Sequence, residues 1–126
     1  MIIFDDMSGY LRKPAVLKLI KNSRHFRTKI VISTQSVSDV HPHVFGQMDY
    51  LMVFKNFNED SLDFLYDKLQ LGITLDEFKK LYHYVTSQKF GKDYNCFILI
   101  NLPEEKYYIN LDKEIIPQQI EHEAQT

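Results

Sequence analysis

The sequence predicts an α/β protein with a mostly parallel sheet, flanking helices and a C-terminal β-hairpin. Two short apolar runs, residues 2–4 and 30–32, are separated by a stretch with helical spacing, and such alternation is typical of parallel sheets. Two helical patterns follow, and then two strand-like runs joined by a short turn around Pro103, which favours an antiparallel hairpin. No linker rich in proline, glycine or serine divides the 126 residues, so one domain is expected.

The first half of the chain contains the elements of the predicted parallel sheet. The continuous apolar runs at residues 2–4 and 30–32 predict strands that are buried on both faces. Between them, Pro14 suits the first turn of a helix, because its missing N–H would have no partner there. Residues 36–47 contain proline, glycine and two histidines and predict a loop or a broken helix, and residues 50–54 predict a third strand.

The second half predicts two helices with clear start signals. Asn58 can cap a helix whose first turn is acidic, and Gly72 is expected to break that helix. Thr74 and Glu77 have the spacing of a capping box, in which each side chain accepts a hydrogen bond from a backbone N–H at the helix start. Gly91 is expected to end the helical region.

The end of the chain predicts a hairpin and then a polar tail. Residues 96–100 and 107–109 are the two strands of the hairpin. Residues 1–115 are therefore assigned to the folded domain. Residues 116–126 are polar, lack glycine and are expected to fray.

Composition excludes several classes of protein. With 44% hydrophobic and 25% charged residues, the chain is neither a disordered tail nor a collagen-like repeat. The net charge of −2 gives no global sign of a nucleic-acid or membrane binder, and no apolar run approaches the ~18 residues of a membrane span. The single cysteine, Cys96, excludes an internal disulfide, disfavours a cysteine-based zinc site and suits a reducing compartment.

The strongest local signal is a pair of carboxylates at the end of the first apolar run. Asp5 and Asp6 would lie at the carboxyl edge of the sheet, where open α/β sheets bind ligands. One carboxylate can hold magnesium beside the phosphates of a nucleotide, and its neighbour can orient or deprotonate an attacking water. The alternative is a strand that simply ends in two solvated acids, which is the commoner meaning of so short a motif.

The second signal is the polar end of the second run. Residues 30–32 are followed by Ser33, Thr34 and Gln35. A glutamine side chain both donates and accepts hydrogen bonds, and beside a terminal phosphate it can position water. The alternative, that these residues only terminate a strand, remains open, most of all for Ser33.

The third signal is local charge. No acid lies between Asp6 and Asp39, whereas this stretch holds seven cations: Arg12, Lys13, Lys18, Lys21, Arg24, Arg27 and Lys29. Such a segment suggests contact with phosphate, either of a nucleic-acid backbone or of a nucleotide on a neighbouring subunit. A solvated helix face explains the lysines equally well. Arg24 stands out, because a guanidinium between helix and strand can bind phosphate in a bidentate way.

The histidines and the cysteine support no further site. His41 and His43 flank Pro42 and could share a metal, but no third ligand is near in the sequence, which favours a surface loop. Cys96 lies in an apolar strand and is expected to be a small core residue.

Three blocks of the chain carry a family resemblance. They are residues 2–7 (IIFDDM), residues 23–27 (SRHFR) and residues 30–36 (IVISTQS), and residues 50–55 form a strand at the matching place. Their order and spacing resemble the second half of a P-loop ATPase of the FtsK/HerA superfamily, most of all the genome-packaging ATPases of large DNA viruses of the poxvirus type. The resemblance covers about the first half of the chain and weakens beyond Asn58.

The resemblance implies a role for each matching residue. Asp5 matches the Walker B carboxylate that holds magnesium, usually through water, and Asp6 the carboxylate that polarises the attacking water. Many relatives have glutamate in place of Asp6. Gln35 matches the polar sensor. Arg24 is the first candidate for an arginine that stabilises phosphate across a subunit interface, with Arg27 in reserve.

The resemblance also implies a fold and a function. The fold would be part of a P-loop NTPase of the RecA/ASCE type, and the function ATP-driven packaging of viral DNA with Mg²⁺ and ATP as cofactors. The implied partners are double-stranded DNA, further copies in a ring, and capsid or portal components, with no membrane. The implied location is the host cytoplasm, in a viral factory, or the virion. Two alternatives remain: another FtsK/HerA-type DNA translocase, or a non-catalytic α/β binding or assembly module.

The sequence departs from the family in one respect. No Gly-x-x-x-x-Gly-Lys-Ser/Thr occurs; Gly91 is followed by Lys92 and Asp93, and no glycine stands five positions before it. The backbone cradle and the lysine that bind phosphate are therefore missing. We expect the chain to be a C-terminal fragment, or a truncated or split reading frame, that lacks the Walker A half and hydrolyses no ATP alone.

Overall fold

The computed structural model describes residues 1–5, 11–23 and 27–120. The chain divides into two compact units, residues 1–48 (unit 1) and residues 49–126 (unit 2). The boundary falls just before the predicted third strand, and no linker rich in proline, glycine or serine marks it. Both units combine helices with strands, so the α/β class is confirmed.

Unit 1 contains the predicted strand–helix–strand order. Its elements are β1 (Ile2–Asp5), α1 (Pro14–Asn22), β2 (Ile30–Ser33), a 3₁₀ turn (Val37–Asp39) and α2 (Pro42–Phe45). β1 and β2 pair in parallel, as predicted. Pro14 stands at the start of α1, and Ile20 is its buried residue. The short 3₁₀ turn and the four-residue α2 occupy the segment predicted as a loop or a broken helix.

Burial in the parallel pair differs from the prediction. Residues alternate along both strands, and Ile3 and Val31, which are partners in the register, are 57% and 47% exposed. The prediction that both faces are buried is therefore wrong for the described part of the chain. A parallel connection places its helix over one face of the sheet, and α1 is the helix of this connection.

Unit 2 is built around an antiparallel sheet. Its strands are β3 (Tyr50–Val53), β4 (Lys89–Phe90), β5 (Tyr94–Asn95), β6 (Ile98–Asn101), β7 (Lys106–Ile109) and β8 (Lys113–Ile115). Four of them form one sheet in the order β3-β6-β7-β8, and every pairing in it is antiparallel. The predicted hairpin is the β6–β7 pair. The predicted mostly parallel sheet is thus limited, among the described residues, to β1 and β2.

The first helix of unit 2, α3 (Glu59–Leu69), begins as predicted but ends earlier. The Asn58 side chain accepts a hydrogen bond from the Ser61 N–H at 2.7 Å. The helix stops where Gln70 takes a left-handed conformation with φ of 52°, so Gly72 does not break it. Gly72 has a different role, since its N–H donates to the Glu105 carboxylate and a Cβ there would lie 2.7 Å from that carboxylate.

The second helix, α4 (Leu75–Thr86), carries the predicted capping box. The Thr74 hydroxyl accepts from the Glu77 N–H at 3.1 Å, and the Glu77 carboxylate accepts from the Thr74 N–H, also at 3.1 Å. Two N–H groups that the helix itself cannot satisfy are therefore paired.

Thr74→Ala is expected to destabilise the protein by about 1 kcal/mol, because it removes the acceptor at the helix start. Urea unfolding measures the change. Thr74→Ser, which keeps the hydroxyl, is the matched control and should stay close to the unchanged protein. Equal losses for the two variants would mean that the methyl group matters rather than the cap.

The core of unit 2 lies where α4 meets the strands. Val53, Leu62, Phe78, Leu81, Val85, Ile98 and Ile100 are fully buried. The Tyr82 hydroxyl donates to the Phe54 carbonyl at 2.8 Å and accepts from the Phe57 N–H at 3.0 Å. This side chain therefore ties α4 to the segment that leaves β3.

Three features near the end of the chain were absent from the prediction. β4 and β5 form a small hairpin across a turn in which Gly91 has φ of +71°, and β8 adds a fourth strand to the sheet. A 3₁₀ turn spans Pro117–Gln119, and Ile120 is buried; residues 121–126 lie outside the described residues. Cys96 is buried, as expected. Within residues 1–5, 11–23 and 27–120, no helix has the length and apolarity to cross a membrane.

Candidate functional site

The candidate site lies at the carboxyl end of the parallel pair. β1 and β2 pair with Phe4 opposite Ile32 and Asp5 opposite Ser33. At the other end of the pair, the Ile2 N–H donates a hydrogen bond to the Lys29 carbonyl at 2.8 Å. Because the strands run in the same direction, Asp5 and the polar residues after Ser33 emerge at one edge of the sheet. The sequence predicted this juxtaposition, and the pairing confirms it.

The loop after β2 is shaped by hydroxyl groups. The Thr34 hydroxyl accepts from the Ser36 N–H at 3.3 Å, and its oxygen lies 3.1 Å from the Ser36 carbonyl and 3.4 Å from the Asp39 carboxylate. The Ser36 and Ser38 hydroxyls are 2.8 Å apart. A side-chain bond to the backbone two residues on is a common way to hold a turn. Gln35 lies inside this turn and is exposed.

Thr34 and Ser36 position the backbone of this turn, a role that the sequence did not predict for them. They do not form the chemical centre, but they set the course of the backbone that carries Gln35. A hydroxyl residue directly after a strand, followed two residues later by another, is the signal that indicates such a turn.

The Asp5 carboxylate has the chemistry of the magnesium ligands found in nucleotide-binding sites. It is exposed at the end of β1. Magnesium prefers oxygen, keeps several waters and takes one or two carboxylates together with phosphates. Among the described residues, no group of three histidine, cysteine or acidic side chains could enclose a metal. A single exposed carboxylate such as Asp5 is the kind of ligand that a hydrated ion shared with phosphate uses.

Two of the predicted site residues, Asp6 and Arg24, lie outside the described residues. Of the predicted set, the structure therefore brings Asp5 and Gln35 to the same edge. The roles assigned to all four residues stay predictions.

Arg27, the reserve arginine, lies at the opposite end of the strands. It is exposed, has a left-handed φ of 51°, and precedes β2; nearby, the Thr28 N–H donates to the Ser23 carbonyl at 2.8 Å. The four residues of β2 span about 10 Å, which separates Arg27 from the edge that holds Asp5. Arg27 is therefore not part of the edge that holds Asp5 in the same chain.

No protein-family model matches the sequence, and no curated protein matches it either. Solved structures do. The genome packaging NTPase B204 from Sulfolobus turreted icosahedral virus 2, in complex with ATP-γS, is similar with a TM-score of 0.63 at 21% identity, covering 91% of this chain and 52% of that chain. B204, the DNA-packaging ATPase from Sulfolobus turreted icosahedral virus, has a TM-score of 0.64 at 19% identity, with 86% and 50% covered.

A third similar structure, the B204 NTPase of the second virus in complex with AMPPCP, has a TM-score of 0.60 at 21% identity and covers 92% of this chain and 53% of that chain. The chain spans about half the length of the solved structures that it matches. The fold is therefore similar to that of a viral genome-packaging NTPase.

Proposed function

We propose that this chain is the Walker B half of an ATP-driven motor that packages viral DNA. The observation that carries the proposal is the parallel pairing of β1 with β2, which brings Asp5 and Gln35 to one edge of the sheet. The likeness to a genome packaging NTPase, which extends over most of the chain, supports it. The same likeness favours a packaging function over that of another FtsK/HerA-type DNA translocase.

Each residue has one task in this proposal. Asp5 would hold magnesium, which when bound would neutralise charge on the phosphates. Asp6 accepts a hydrogen bond from the attacking water, and Gln35 orients that water towards the terminal phosphate. Arg24, or Arg27 in its place, stabilises the phosphate charge on a neighbouring copy.

In this proposal, the phosphate cradle comes from polypeptide outside these 126 residues. The sequence contains no Gly-x-x-x-x-Gly-Lys-Ser/Thr, and its similar structures are about twice as long as the part matched. We propose that the complete enzyme joins this chain with a segment that supplies the P-loop, either in one polypeptide or as a second chain.

The proposal includes the partners and the place of action. Double-stranded DNA is the substrate, copies of the enzyme form a ring, and capsid or portal components receive the DNA. The motor acts in the host cytoplasm, in a viral factory, or at the virion. A chain that binds neither magnesium nor nucleotide at the Asp5 edge would instead be a binding or assembly module.

Paramagnetic NMR tests the site directly. We expect Mn²⁺ with ATP-γS to broaden the amide signals of Asp5 and of residues 33–36 in the ¹⁵N-labelled chain before those of other residues. Asp5→Asn should weaken this binding by about 1.5–3 kcal/mol, roughly ten- to a hundredfold in Kd, because the interaction is with a charged ligand.

Asp93→Asn is the matched control for that experiment. Asp93 is an exposed carboxylate between β4 and β5, and its loss changes the net charge by the same amount. The control should leave the broadening at residues 33–36 unchanged. Broadening that survives Asp5→Asn, or that centres on acids of unit 2, would contradict the proposed site.

A further inference from the structure

The charge of the chain is divided between its two units. Residues 1–48 hold seven lysines and arginines against three acids, a net charge of +4, whereas residues 49–126 hold eight against fourteen, a net charge of −6. The overall value of −2 hides this division. A polyanion would therefore be attracted to unit 1 and repelled by unit 2.

Within unit 1, several cationic side chains lie on or next to α1 and α2. The Arg12 guanidinium donates to the Ser38 carbonyl at 2.9 Å, across 26 residues of sequence, which holds it beside the segment that leads into α2. The helices α1 and α2 are in contact. Lys18 and Lys21, three residues apart on α1, share its exposed face.

Two imidazoles complete this group. The rings of His41 and His43 stack with centroids 5.0 Å apart and an interplanar angle of 19°. The His43 N–H donates to the His41 Nδ1 at 3.2 Å, so the neutral ring of His41 carries its proton on Nε2. Partial burial and the charges of His43, Arg12 and Lys21 lower the pKa of His41. The same neighbours would favour an anion.

We propose that Arg12, Lys18, Lys21, His41 and His43 form a cationic surface that binds the phosphate backbone of double-stranded DNA. Arg12 precedes α1 and Lys21 lies in its last turn, so this α1–α2 cationic surface follows the length of the helix, which favours an extended polyanion over a single nucleotide. The nine residues of α1 extend for about 13 Å, and over that length one strand of B-DNA presents about four phosphates. The choice of DNA among polyanions rests on the proposed packaging function.

Salt dependence of DNA binding tests the surface. Fluorescence anisotropy with a labelled duplex should give a linear fall of log K with log salt concentration. The variant Arg12→Gln, Lys18→Gln, Lys21→Gln should reduce the steepness of this line by about 0.9 for each phosphate contact removed, which is close to 2.7 for all three. Its unfolding midpoint in urea establishes that the variant is folded.

The control places the same charge change on unit 2. Lys55→Gln, Lys92→Gln, Lys113→Gln removes three exposed cations there. It should leave the salt slope unchanged. Equal slopes for the unchanged protein and the Arg12, Lys18, Lys21 variant would overturn the assignment of the surface.

The histidines supply a second readout. A bound phosphate offsets the repulsion from Arg12, Lys21 and His43, so binding should raise the pKa of His41 and take up a proton. Affinity for the duplex should therefore increase as the pH falls from about 8 to about 5. His41→Gln, His43→Gln should flatten this dependence; an unchanged pH profile would exclude the imidazoles from the surface.

Two further outcomes separate this proposal from the proposed function. If the unchanged chain fails to bind duplex DNA, the assignment of the cationic surface is wrong, whereas the proposed function is tested separately by Mn²⁺ broadening at Asp5. If inorganic phosphate competes as well as DNA at equal phosphate concentration, the surface is a small-anion site, and its assignment to DNA is wrong.

Discussion

The chain of 126 residues is expected to hydrolyse ATP no faster than the same sample with its divalent cations chelated. The sequence lacks the glycine-rich loop whose N–H groups bind phosphate and the lysine that follows it. Each preorganised donor at a reacting group contributes about 10²–10³ to the rate. The loss of several donors removes turnover even if Asp5 and Gln35 are correctly placed. A phosphate-release assay with Mg²⁺ and ATP measures it.

The variant Asp5→Ala distinguishes hydrolysis by this chain from hydrolysis by a contaminating enzyme. Hydrolysis that depends on magnesium and disappears with Asp5→Ala would contradict this prediction and show that the chain completes an active site by itself. Activity that survives the substitution would come from a contaminating enzyme.

Phe78→Ala is expected to destabilise unit 2 by about 3–5 kcal/mol, the usual cost of removing a buried phenylalanine. Phe78 is 0% exposed on α4, and its ring centroid lies 5.9 Å from that of Tyr66 on α3. The cavity left by the ring cannot close without moving one helix against the other. The free energy of unfolding in urea measures this loss.

Phe90→Ala serves as the matched control for that variant. Phe90 has the same chemistry but is 62% exposed in β4, so its truncation should change stability by less than about 0.5 kcal/mol. Similar losses for the two variants would show that Phe78 is not in the interior of unit 2.

The parts of the fold that the sequence predicted depend on neighbours a few residues away. Pro14, Asn58 and the pair of Thr74 and Glu77 mark helix starts in the structure as they did in the sequence. The side chains of Asn58, Thr74 and Glu77 accept hydrogen bonds from backbone N–H groups at the start of their own helices, and Pro14 has no N–H that would need a partner. No distant contact is needed for either effect. The two apolar runs of unit 1 became strands for a similar reason, since a β-branched apolar run bounded by polar residues favours extended backbone.

Long-range pairing decided the features that the prediction missed. β3 pairs with β6 across more than forty residues, and its antiparallel direction has no local sequence signal. β8 has no apolar run that would predict a strand, because Lys113 and Glu114 are polar. It forms a strand because its backbone pairs with β7. α3 ends at Gln70, which has a left-handed backbone conformation, whereas the sequence predicted a break at Gly72. A polar residue such as glutamine can adopt this conformation at a modest cost in free energy.

For the candidate site, the sequence by itself determined that Asp5 and Gln35 each follow an apolar run, and that order is local. Only the tertiary structure decided that their strands are parallel neighbours and that Arg12 reaches Ser38. These placements depend on contacts between residues distant in sequence, which burial and hydrogen bonding select together when the chain folds.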